Sequence, residues 1–87
     1  MRSRFYLRLF VEDRPGVLAD VTRVLAEHHI SIASVIQHEA PEDLEGGRVH
    51  LVIMTHTAMT GDFRAAVAEL DHLDRVVPPS VYFPVGD

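Results

Sequence analysis

The order of hydrophobic patterns along this chain predicts an α+β protein of the ferredoxin-like class. That is a βαββαβ sandwich in which a four-stranded antiparallel sheet carries two helices on one face. Three observations predict it. Alternating and helical stretches follow one another in the order β-α-β-β-α-β. The first strand has one wholly apolar side and one mixed side, as a sheet covered on a single face requires. The length, 87 residues, suits one domain with one modest core.

In the first strand Phe5, Leu7, Leu9 and Val11 point one way, toward the expected helices, while Tyr6, Arg8 and Phe10 point to an open face. An open face with two aromatics is often covered by a partner. At Asp13-Arg14-Pro15-Gly16 the period changes, and a helix is expected from Pro15 to about His28. Its stripe is Val17, Leu18, Val21, Val24, Leu25 and His28. Pro15 fits the first helical turn, and Asp13 is a candidate cap.

Residues 30–39 alternate again, with Ile30, Ile32 and Ile36 expected on one face of an edge strand. Ala40 to Gly47, with Pro41 and the Gly46-Gly47 pair, reads as a hairpin loop. Val49 to Thr55 is apolar and β-branched, suited to a central strand. Thr60 is expected to cap a second helix bearing Phe63, Ala66, Val67 and Leu70. Val76 to Val85 is the last extended segment, and Pro78, Pro79 and Pro84 confine it to a sheet edge. Both βαβ crossovers are expected to be right-handed.

Composition narrows the function classes. There is no cysteine, so neither disulfides nor thiolate metal sites enter. The net charge is −5, and all eight basic residues are arginines scattered from Arg2 to Arg75, which disfavours nucleic acid. No apolar run approaches a membrane span, and nothing reads as a signal peptide, so a cytoplasmic location is expected by default. A small core without staples makes self-association a reasonable expectation. The six histidines lack ligand spacing and read as surface or interface residues, with His28 favoured near a helix C-terminus. No nucleophilic cysteine, lysine or G-x-S-x-G elbow supports an enzyme, and the adjacent acids Glu12 and Asp13 diverge on a strand.

The chemistry is expected at the strand-to-helix turn. Free N–H groups and the positive end of a helix dipole converge there, where a small carboxylate can be held. Gly16 permits close approach of a ligand. Gln37 on the second strand offers donors and an acceptor, and Ser31 and Ser34 add smaller polar groups. Asp13 is read either as a cap or as the partner of a ligand ammonium. Edge-to-edge pairing of two copies is expected to bring Gln37 of one chain near the Asp13–Leu18 turn of the other.

The string Asp13-Arg14-Pro15-Gly16-Val17-Leu18, with its flanking strand and helix, resembles an ACT domain over about residues 5–84. Tyr6-Leu7-Arg8-Leu9 and Ser31-Ile32-Ala33-Ser34-Val35-Ile36-Gln37 resemble in particular the C-terminal ACT segment of bacterial homoserine dehydrogenase. The resemblance implies a single regulatory domain over residues 1–87, without catalysis or cofactor of its own. It implies side-by-side pairing through edge strands and an amino-acid ligand at the interface, L-threonine first. It places Asp13, Gly16, Val17 and Leu18 in the turn wall and Gln37 opposite them. A catalytic domain is the expected partner if the segment is excised from a longer chain, since G-x-G-x-x-G is absent here. The alternative is a ligand-free pairing module that uses the Tyr6/Phe10 face.

Overall fold

The computed structural model describes residues 1–38 and 47–86, so the expected hairpin loop lies, Gly47 apart, outside the described residues. Its elements are β1 (Arg2–Ser3), β2 (Phe5–Glu12), α1 (Val17–Glu27), β3 (Ile32–His38), β4 (Arg48–Thr55), β5 (Ala58–Met59), α2 (Thr60–Leu70) and β6 (Val76–Pro84). The main sheet is antiparallel in the order β3-β4-β2-β6, which is the ferredoxin-like arrangement. Both edge assignments hold, and the prolines of β6 sit on an edge as their missing N–H demands. One pairing has no counterpart in the sequence patterns: β1 and β5 form a two-residue antiparallel ladder, Arg2 opposite Met59.

Hydrophobic burial follows strand parity. Phe5, Leu7, Leu9 and Val11 of β2 and Val49, Leu51 and Ile53 of β4 are buried beneath the helices. From α1 they meet Val17, Val21, Val24 and Leu25, and from α2 Phe63, Ala66, Val67 and Leu70. Phe5 and Phe63 stack at 4.1 Å, and Tyr82 closes on Phe63 edge-on at 5.2 Å. Fully burying each such side chain contributes roughly 1.5–3 kcal/mol. Thr55 is the one buried polar residue among those described. Its Oγ1 accepts the Phe5 N–H at 3.0 Å, so the group is satisfied.

Three local expectations need correction. Ile36 does not share a face with Ile30 and Ile32; it is 54% exposed, whereas Val35 packs on the core. The cause is a bulge. Ile32 faces Thr55 and Ser34 faces Met54, so Ala33 is an extra residue that reverses the strand's parity. Thr60 does not cap α2, because it is the first helical residue and Met59 is the N-cap. Pro15 lies in the turn before α1 rather than in its first turn.

The end of α1 is built by the expected histidines. His29 sits at φ 65 and its N–H reaches the Ala26 carbonyl at 3.0 Å, while Ile30 N–H reaches Leu25 at 2.9 Å. This is a Schellman ending with histidine where glycine is usual. His28 Nε2 meets Glu69 Oε1 at 2.8 Å and ties the C-terminal ends of the two helices together.

Candidate functional site

The strand-to-helix turn is held by backbone. As β2 ends, Glu12 N–H donates to the Arg75 carbonyl (2.9 Å) and Asp13 N–H to the Gly47 carbonyl (2.8 Å). Val17 N–H then returns to the Arg14 carbonyl at 3.3 Å, with Pro15 and Gly16 at the centre of the turn. Gly16 has φ 91 and ψ −15, the conformation a type II turn needs at its third residue. A Cβ there would meet only Arg75 Nη1, at 3.8 Å. Backbone angle, not crowding, therefore calls for glycine.

α1 starts with Gly16 as N-cap and no side-chain capping bond. Asp13 is not the cap. It stands three residues too early, and its carboxylate Oδ1 accepts a hydrogen bond from Gln37 Nε2 at 3.3 Å. The N–H groups of Leu18 and Ala19 lie in the first turn, where a helix offers no internal acceptor. Arg75 stiffens the turn from below by donating Nη1 to the Pro15 carbonyl at 3.1 Å.

The structure brings some of the expected site residues together and separates others. Asp13 and Gln37 meet within one chain, where sequence reasoning joined Gln37 to the turn only across two copies. Leu18 is 39% exposed beside the turn although the helical stripe counted it inward, while Val17 is buried at 8%. Val17 faces a different hollow of about 280 Å³, which it shares with Asp20, Asp74 and Arg75. Ser34 pairs with Met54, at opposite strand parity to Gln37, so it does not join the group. Ser31 gives its carbonyl to the His56 N–H at 2.9 Å. Arg75 is the residue that sequence reasoning missed. It lies 60 residues from Pro15, and no local pattern marks the contact.

The turn thus offers N–H donors at a helix start, one carboxylate and one amide beside it, and an exposed leucine. Those groups suit a small zwitterion. Among the described residues no three histidine or acidic side chains cluster as metal ligands would, and no helix is long and apolar enough to cross a membrane.

Comparison with known proteins decides the family. The sequence model of the ACT domain matches residues 5–74, a span that holds the turn, Gln37 and both helices. The chain belongs to the ACT domain family. ACT domains are non-catalytic regulatory modules of the amino-acid-binding type, and this chain is one of them. It is 39% identical over 79 residues to homoserine dehydrogenase of Pseudomonas aeruginosa, an alignment covering 91% of this chain and 18% of that enzyme. The crystal structure of a homoserine dehydrogenase from Thiobacillus denitrificans superposes with TM-score 0.86 at 36% identity, covering 100% of this chain and 18% of that one. The regulatory subunit of aspartate kinase from Thermus thermophilus shares the fold, with TM-score 0.70 at 21% identity over 94% of this chain and 51% of that one. The ACT domain described here therefore spans less than a fifth of the length of the dehydrogenases it matches.

Proposed function

We propose that this ACT domain senses a small amino acid, L-threonine first, and regulates a homoserine dehydrogenase catalytic portion in the cytoplasm. The observation that carries the reading is the Asp13–Gln37 contact at the opening of α1. A ligand carboxylate would lie on the free N–H groups of Leu18 and Ala19. Its ammonium would meet the Asp13 carboxylate, and the Gln37 amide would read a side-chain hydroxyl. Leu18 would cover the aliphatic part, while Gly16 and Val17 set the turn in place. Two copies would pair through the free edge of β3, which lies beside Gln37. Ligand would shift the enzyme only by its differential affinity for the two arrangements, on the order of 1–3 kcal/mol.

Thermal unfolding across an amino-acid panel tests this. Ligand at 100 times its dissociation constant should add roughly 2.7 kcal/mol per site. The expected outcome is a clear rise with one amino acid that disappears in Asp13→Ala and Gln37→Ala. A second reading is favoured by the open sheet face, where Ile36, Val81 and Phe83 are 54%, 44% and 48% exposed. A ligand-free pairing module would ignore the whole panel and still self-associate in sedimentation.

A further inference from the structure

A second hollow, of about 440 Å³, opens at the other end of the sheet. It falls within the size range of small-molecule sites. Phe5, Tyr82 and Pro84 form apolar wall, and Thr60 and Arg64 face it from successive turns of α2. Arg2 of β1 lies on the remaining side. Phe5 begins β2 and Asp13 follows its last residue, so at about 3.4 Å per residue the hollow lies roughly 25 Å from the turn. It is a separate site, and its case does not depend on the threonine reading.

Charge distinguishes this hollow. The chain has 13 acidic residues against 8 basic ones, yet among the described residues the two charged side chains lining the hollow are both guanidinium groups. Neither Arg2 nor Arg64 has an ion-pair partner among the described residues. The N–H of Thr60, the first residue of α2, is already taken by the Met1 carbonyl at 2.8 Å, so the attraction at this hollow rests on the arginines and not on that N–H. The aromatic wall is firm, since Phe5 stacks on Phe63 and meets Tyr82 edge-on at 6.4 Å.

We infer that this hollow binds an apolar monocarboxylate. The tail would lie against Phe5, Tyr82 and Pro84, and the carboxylate would accept charge-assisted hydrogen bonds from Arg64 and Arg2. Among the described residues no acidic side chain lines the hollow, so none of them offers a counter-charge to the α-ammonium of an amino acid. The ligand class is therefore a carboxylic acid without an α-amino group. Its walls come from β1, the start of β2, α2 and β6, so occupancy fastens both ends of the described chain to the second helix.

The test is a titration of the isotopically labelled chain with 3-phenylpropanoate, with 3-phenylpropanamide as the neutral control. Saturable amide-resonance shifts centred on Phe5, Tyr82 and Gly86 are expected for the acid. The amide should bind at least about tenfold more weakly, because a lost charge-assisted bond is worth at least a tenfold step. The double variant Arg2→Gln with Arg64→Gln should lose binding by a similar factor while keeping its unliganded melting temperature. Arg64→Lys, which keeps the charge, should lose less. Equal binding of acid and amide would overturn the inference. So would no saturable shift up to about 10 mM, ten times the concentration at which a dissociation constant of roughly 1 mM half-fills the site, or shifts centred on Asp13–Leu18. In wild-type and variants alike, an L-threonine response at the turn reports on the other site alone.

Discussion

Gly16 and His29 both hold left-handed backbone angles at the ends of α1, and they predict stability changes of opposite sign. Gly16 has φ 91 and His29 has φ 65. For an L-residue that region costs roughly 1–2 kcal/mol. In Gly16→Ala the new Cβ would meet only Arg75 Nη1 at 3.8 Å, an ordinary contact, so no packing penalty is added. The alanine also restricts the unfolded chain, which returns about 0.4–1 kcal/mol. The net expectation is a loss of about 1 kcal/mol, or roughly 4–8 °C in melting temperature for a domain of this size. His29→Gly reverses the argument: the side chain is exposed, and glycine relieves the angle at the end of α1. Part of the gain returns as unfolded-state entropy, and histidine tolerates the region better than most residues, leaving about 0.5 kcal/mol of stabilisation. Urea denaturation of both variants measures the pair. If Gly16→Ala were neutral, or cost above roughly 3 kcal/mol, the reasoning would fail, since backbone angle alone yields neither. Gly16→Ala should also weaken the amino-acid response, because the turn places the N–H groups of Leu18 and Ala19.

The bulge at Ala33 makes Val35→Asp and Ile36→Asp unequal. The first puts a charge against the core and should cost about 2–4 kcal/mol, while the second, on an exposed face, should stay within about 1 kcal/mol; equal costs in chemical denaturation would remove the bulge from the account. Thr55→Val keeps the shape but leaves the Phe5 N–H without its acceptor, so a loss of about 1–3 kcal/mol is expected, with Thr55→Ser much milder. A neutral Thr55→Val would mean that the bond contributes nothing net.

Much of this fold is legible in the chain because the core follows parity and period. Every second residue of Phe5–Val11 is buried, and Phe63, Ala66, Val67 and Leu70 form the inward side of α2 as their spacing predicts. The turn was legible too, because Pro-Gly between a strand and an apolar helical stripe has few other uses. What was not legible is what depends on long-range geometry. The β1–β5 ladder is two residues long, too short for any period to show. The Arg75–Pro15 bond and the Asp13–Gln37 bond join segments 60 and 24 residues apart. Asp13 reads as a cap by type, yet a type II turn intervenes and carries it out of reach of the helix.

The bulge links the misread strand to the proposed site. With strict alternation from Ile30, residues 32, 34 and 36 would face the helices, and Gln37 would lie on the open face with Phe10 and Val52. Ala33 inserts one residue opposite the Thr55–Met54 step, and from there Val35 and Gln37 share the helix side. Val35 then takes the core position and the next inward residue, at the sheet's end, is the glutamine that reaches Asp13. Ile36 is left 54% exposed as a consequence. An isoleucine turned outward is a poor trade for folding alone, because over half of its apolar surface stays in water. The arrangement makes sense if the inward place at residue 37 is reserved for a polar group at the turn. Bulges are over-represented where a side chain must be re-aimed beside a functional site, and this one re-aims Gln37.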